Sequence, residues 1–287
     1  MNLFAITCIP DARILRFPLS RDVQDEIQAL FDGQYDLFIN GIDTVIPFDG
    51  RYRPEDGELL SIENFIDIDG LAEAVAAPLK VEQFDPAQHS LSLVKGIFTE
   101  HRGDGAGRIL VQIFESRRLI ATKAVALFFS GNTFQKMNDA GLTLDTKLLA
   151  IIENGTLKFQ SFHFAKRVFD LSDYYKDATT EDIKKFASHE KLSVGNADDF
   201  AKSASAPIRK KIAMILQSGT LDNFTTEQII AAAQDFGVAI NKTADDKIEL
   251  PENATDLRRL LRFLDEDHYK SPLSQTHYIS NSKRVAD

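Results

Sequence analysis

The dominant hydrophobic period of this chain turns from strand-like to helical near Phe162, and that change limits the folds open to it. Before it, SLSLVKGIFTEHR (90–102), GRILVQIFESR (107–117) and RLIATKAVALFF (118–129) alternate or run apolar between turn residues, which is the pattern of strands. KLLAIIENGTLKFQSF (147–162) centres on Asn154-Gly155, a dipeptide suited to the two left-handed positions of a type I′ turn, and so predicts a hairpin. GDGAG (103–107) reads as another hairpin loop and not as a phosphate cradle, because strands flank it and no Lys-Ser or Lys-Thr follows. Further upstream, residues 2–9 and 12–17 predict strands joined by a turn at Pro10 and Asp11. Ser20 caps a helix with Val23, Ile27, Leu30 and Phe31 on one stripe, ending near Gly33. From Tyr35 to Asp69 short extended pieces are expected between glycines and prolines, and LAEAVAAPL is a short helix ending at Pro78.

After Phe162 the spacing is helical. FHFAKRVFDL places Phe162, Ala165 and Phe169 on one face. TTEDIKKFASH and TTEQIIAAAQDFG each begin at a threonine cap, and the second stops at Gly237. APIRKKIAMILQ (206–217) turns Ile208, Ile212, Ile215 and Leu216 inward and leaves Arg209, Lys210 and Lys211 nearer the outside. A short strand is expected at KIEL, and Gly195–Ala206 reads as a flexible connection. Leu257, Leu260, Leu261 and Leu264 then form the apolar stripe of a terminal helix, with Arg258, Arg259 and Arg262 off it and Asp265, Glu266 and Asp267 directly after. The fold class is therefore α+β. Residues 1–161 form a half dominated by an antiparallel sheet with flanking helices, and residues 162–287 form a mainly helical half, as two domains or one continuous domain.

Composition bounds the function. The chain carries 33 Lys plus Arg against 43 Asp plus Glu, so it has no global attraction for nucleic acid or anionic lipid, and any anion site has to be a local basic patch. Residues 162–287 are nearly balanced, which leaves their basic clusters less cancelled than those of the first half. A single cysteine, Cys8, excludes an internal disulfide framework, fits a reducing compartment, and in its apolar run LFAITCI is expected to be a buried, inert thiol. No signal segment and no run of eighteen apolar residues is seen, so a cytoplasmic location is expected, with membrane association only through a partner.

The six histidines lack zinc-ligand spacing, no nucleotide-binding or hydrolase motif is present, and no metal or other cofactor is expected. Two chemistries remain. Lys166, Arg167, Arg209, Lys210, Lys211, Arg258, Arg259, Arg262, Lys270, Lys283 and Arg284 could neutralise phosphates from helix faces, with His163, Tyr269 and Tyr278 adding contacts to sugar or base. Alternatively Asp265, Glu266 and Asp267 could hold a divalent cation beside Lys270, the logic of a metal-dependent nuclease. In a third reading the basic clusters only dock an acidic cytoplasmic face of a membrane partner, making the chain a non-catalytic interaction scaffold.

Two segments sharpen this choice. LAIIENGTLKFQSFHFAKRVFDLSDYY, followed much later by LRRLLRFLDEDHYKSPLSQTHYISNSKR, resembles the KwaB family of the bacterial Kiwa anti-phage system, from Lys147 to Arg284 and most specifically from Arg262 onward. Pro272 and Ser274 depart from the family's expected Ser-x-Leu-Thr pattern. The resemblance implies a cytoplasmic, non-catalytic protein that binds double-stranded phage DNA without strong sequence specificity and blocks its replication and transcription. It also implies a homodimer or higher homo-oligomer, acting beside a KwaA-like multi-pass membrane protein able to recruit it to the inner membrane. The assignment of particular basic residues to phosphates rests on local charge alone.

Overall fold

Period-two alternation in the first half builds one eight-stranded sheet. In the computed structural model, residues 1–65, 69–101, 103, 107–120, 127–131, 133–136, 141–172, 174, 177–280 and 282–284 are described. They divide into two units, Met1–Phe48 with Pro54–Leu171, and Asp49–Arg53 with Ser172–Asp287.

The strands of the first unit are β1 (Leu3–Thr7), β2 (Ile14–Arg16), β3 (Thr44–Pro47), β4 (Glu58–Ile62), β5 (Val94–His101), β6 (Arg108–Ile113), β7 (Leu119–Ile120), β8 (Leu127–Ser130), β9 (Thr133–Lys136), β10 (Gly141–Leu142), β11 (Ala150–Glu153) and β12 (Thr156–Phe159). The large sheet runs β2-β1-β5-β6-β11-β12-β4-β3 and is antiparallel except for the β3–β4 pair. β7 with β10 and β8 with β9 form two small ribbons. The β5–β6 hairpin closes at His101↔Arg108, although the centre of its GDGAG loop and residues 121–126 of the expected third strand lie outside the described residues. Asn154 (φ 50°) and Gly155 (φ 77°) occupy the left-handed positions of the β11–β12 turn, as their chemistry requires.

Helix α1 (Arg21–Ile39) covers one sheet face, where Phe31 and Phe38 join Leu3, Ala5, Ile97, Leu110 and Ile151 in a buried cluster. It continues a turn and a half beyond Gly33, where the sequence predicts an end. A glycine costs an exposed helix only about 1 kcal/mol, and the burial of Phe38 outweighs that. Inside this layer Gln112 donates to Gln34 (2.6 Å), Gln34 donates to the Asp145 carbonyl (2.8 Å), and the Asp145 amide returns to Gln112 (3.0 Å). The opposite face is met by residues 162–171. A Cβ on Gly96 would lie 2.8 Å from Val168, so only glycine allows that approach. Within this segment only α3 (Phe162–Ala165) is helical, shorter than its spacing suggests. Helix α2 (Asp69–Ala76) ends before Pro78.

Cys8 corrects an expectation, since it is exposed. The β1–β5 register shifts between Ile6 and Thr7, β1 ends at Thr7, and the next residue is carried off the sheet.

The second unit contains α4 (Thr180–Ala187), β13 (Leu192–Ser193), α5 (Ala197–Ser203), α6 (Ala206–Ser218), α7 (Thr220–Asn223), α8 (Thr226–Asp235), β14 (Ile248–Glu249), α9 (Ala254–Leu264), β15 (His268–Lys270) and β16 (His277–Ile279). Capping boxes at Thr179 with Asp182 and at Thr225 with Gln228 start α4 and α8 as their sequences require. The expected connection at 195–206 is instead occupied by α5. Asn196 caps it by accepting from the Asp198 and Asp199 amides, and Lys184 of α4 pairs with Asp198 at 2.8 Å. No helix among the described residues is long and apolar enough to cross a membrane.

Candidate functional site

Two apolar stripes bring the basic helices together. Ile208, Ile212 and Ile215 of α6 share a buried cluster with Leu257, Leu260, Leu261 and Leu264 of α9. Asn253 starts α9 by accepting from the Thr255 and Asp256 amides.

How α9 ends decides what the acidic triplet does. The Glu266 amide donates to the Phe263 carbonyl and the Asp267 amide to that of Arg262, both at 2.9 Å, the paired bonds of a Schellman cap. Glu266 takes the left-handed position (φ 57°) and is exposed, while Asp265 and Asp267 on either side are 3% and 2% exposed. Lys211 Nζ lies 2.6 Å from both Asp265 Oδ2 and Asp267 Oδ2, and Lys283 Nζ lies 2.9 Å from Asp267 Oδ1 and 3.5 Å from Asp265 Oδ1. Two buried carboxylates are thus bridged twice by two ammonium groups. Burial of these charges is tolerable only because each has its counter-ion.

This ion-pair cluster floors a cavity of about 280 Å³ lined by Arg51, Lys210, Lys211, Arg258, Arg262 and Lys283, with Pro207, Met214 and Leu261 among its apolar walls. Arg51 is held there by a 2.9 Å bond to the Met214 carbonyl and by the Lys283 amide donating to its own carbonyl. Arg258 and Arg262, four residues apart on one face of α9, are exposed and make no hydrogen bond or ion pair from their side chains among the described residues. Partial burial, and next the Lys211 charge, hold the Lys210 ammonium below its usual range.

The other basic residues singled out from sequence are dispersed. Arg209 is spent inside the second unit, donating to the carbonyls of Ala204, Ala178 and Ala201. Arg259 donates to the Gly237 carbonyl at 2.8 Å, and Lys270 lies 3.8 Å from Asp235. Arg284 sits over the Tyr52 ring. Lys166 and Arg167 belong to the first unit. Lys166 lies over the Phe162 ring and Arg167 pairs with Glu115, a hydrogen bond that holds the Glu115 carboxyl below its usual range. Tyr269 and Tyr278 stack at 5.3 Å on the exposed β15–β16 hairpin. Sequence reasoning missed Arg51, which stands far from the basic clusters in a Gly- and Pro-rich stretch with nothing local to mark it.

Among the described residues no group of three or more His, Cys, Asp or Glu is placed to hold a metal ion. His268, whose ring Nε2 is buried without a hydrogen-bond partner among the described residues, is kept below its usual pKa by burial first and by Arg259 and Arg262 as well, against the opposing pull of Asp267.

Residues 110–274, more than half of the chain, match the model of the family described as Kiwa protein KwaB-like. The chain belongs to this family. Membership implies a role in Kiwa anti-phage defence. The KwaB-like match spans Lys210, Lys211, Arg258, Arg262 and the acidic triplet, and leaves Arg51 and Lys283 outside it. No curated protein and no solved structure matches the chain.

Proposed function

We propose that this KwaB-like protein acts in the cytoplasm by binding double-stranded phage DNA without strong sequence specificity, blocking replication and transcription, and that it catalyses no reaction. The supporting observation is the pair Arg258 and Arg262, exposed beside Lys210 and, among the described residues, without carboxylate partners. Cations so placed can neutralise phosphates and release counter-ions, and they read no bases. A homodimer or higher oligomer working with a KwaA-like membrane protein completes the reading, on family grounds.

A mobility shift with a short duplex tests it. Retardation should weaken by orders of magnitude between low and moderate salt and should vanish when Arg258 and Arg262 are both changed to Glu, with thermal stability within about 1 kcal/mol of the parent because both side chains are exposed. Binding indifferent to salt, or retained by the double variant, would sink the proposal. The nuclease alternative requires Asp265 and Asp267 to give up Lys211 and Lys283 before they can take a divalent cation. Plasmid incubated with Mg²⁺ should therefore stay intact, and cleavage abolished by Asp267→Ala would favour that alternative.

A further inference from the structure

The cavity beside α9 gathers six lysine and arginine side chains into one small space. We propose that it is a seat for one phosphate group carried by a small anion, a phosphate monoester or pyrophosphate. The proposal does not rest on the DNA-binding reading, although Arg258 and Arg262 serve both.

Charge is the first argument. Six cations line this space against two carboxylates, in a chain whose net charge is −10. Those carboxylates, Asp265 and Asp267, are buried and already bridged by Lys211 and Lys283. Among the described residues, Arg258 and Arg262 add positive charge that no carboxylate of the lining pairs with.

The cations also come from four separate stretches of chain: Arg51, the start of α6, α9, and the tail at Lys283. Clustering like charges costs free energy, and Lys210, held below its usual range first by burial, is lowered further by the neighbouring Lys211 charge. A multivalent anion is the ligand that would reverse the cost. Guanidinium forks at Arg258 and Arg262, one helical turn apart, suit the several acceptor oxygens of a phosphate better than a single carboxylate. Size is the third argument. About 280 Å³ equals roughly nine water molecules, room for a phosphate and a modest attached group but not for a run of nucleotides.

Such a phosphate could arrive as a free anion or as the 5′ end of a DNA strand, and one set of titrations separates these sources. Sodium pyrophosphate is titrated calorimetrically into the full chain, into the Arg258→Gln/Arg262→Gln double variant, and into Lys242→Gln, whose side chain pairs with Asp246 outside the cavity. One saturable site is expected, weakened at least about tenfold in the double variant, a change of about 1.4 kcal/mol, and unchanged in Lys242→Gln. Short oligonucleotides with and without a 5′-phosphate are then compared. Tighter binding of the phosphorylated strand that pyrophosphate displaces identifies the strand end, and equal binding of both strands alongside the pyrophosphate site identifies a free anion. No saturable pyrophosphate binding, or the same affinity in the folded double variant, overturns the proposal even if duplex DNA is still retarded. Pyrophosphate binding without duplex retardation supports the cavity and removes the DNA reading.

Discussion

Lys211 shows how far a side chain's role can lie from its sequence neighbourhood. Between Lys210 and Ile212 it reads as one of three solvated cations on α6, yet its ammonium sits 2.6 Å from two buried carboxylates more than fifty residues away. Lys211→Ala should lower the unfolding free energy by about 3 kcal/mol, because one lysine is left to compensate two buried charges. Adding Asp265→Asn should recover part of that loss. A urea midpoint unchanged by Lys211→Ala would show that the pairs contribute nothing. His268 makes a pH prediction of the opposite kind. Its folded pKa lies below the unfolded value of 6.5, so the unfolded chain takes up the proton first as pH falls. Its contribution to stability is complete above about pH 6.5 and is lost as pH falls through the folded pKa. Denaturation midpoints between pH 7.5 and 5 should therefore fall less steeply in His268→Gln than in the parent, and parallel curves would refute this.

At the level of elements, α9 was the most legible and its end the least. Its four leucines, spaced for one face, are all buried, and Asn253 stands where a capping side chain is wanted. No spacing argument shows that Asp265 and Asp267 turn inward while Glu266 turns out. That outcome follows from a left-handed residue at the cap, and glutamate carries no local preference for that conformation. Glu266→Gly should relieve the strain and raise stability by about 0.5–1 kcal/mol, the left-handed cost less glycine's extra unfolded-state entropy. A thermal melt showing destabilisation would mean that the Glu266 side chain makes a contribution its exposure conceals. The threonine capping boxes and the Asn-Gly turn were legible for the reason α9's end was not, since each carries its complete geometry within a few residues. The connection at 195–206 was misread because its polar composition hid a helix that needed both its Asn196 cap and Lys184 from another element.

For the molecule as a whole, an acidic protein proposed to bind DNA has to do so through a restricted patch. The salt response measures the size of that patch, because each neutralised phosphate contributes a slope of about −0.9 in log affinity against log salt. If Arg258 and Arg262 each contact one phosphate, replacing both by Gln should flatten the slope by about two, whereas a merely destabilised protein would lose active fraction without a change of slope. The KwaB-like match crosses from the sheet-bearing unit into the helical one, so the family is defined by residues of both.

The sequence by itself determined the α+β class, the hairpins, the capped helices and the buried stripe of α9, because those depend on periodicity and on interactions within about four residues. The signature from Arg262 onward also pointed to the family. Only the tertiary structure decided which charges remain available. Arg209, Lys211 and Lys283 satisfy buried carbonyls or carboxylates, Arg51 joins a cavity from a distant loop, and Arg258 and Arg262 stay unpaired among the described residues. The physical reason is that a charge's partner is chosen by proximity in space once the apolar faces have met, and the identity of a lysine or arginine is the same before and after that choice.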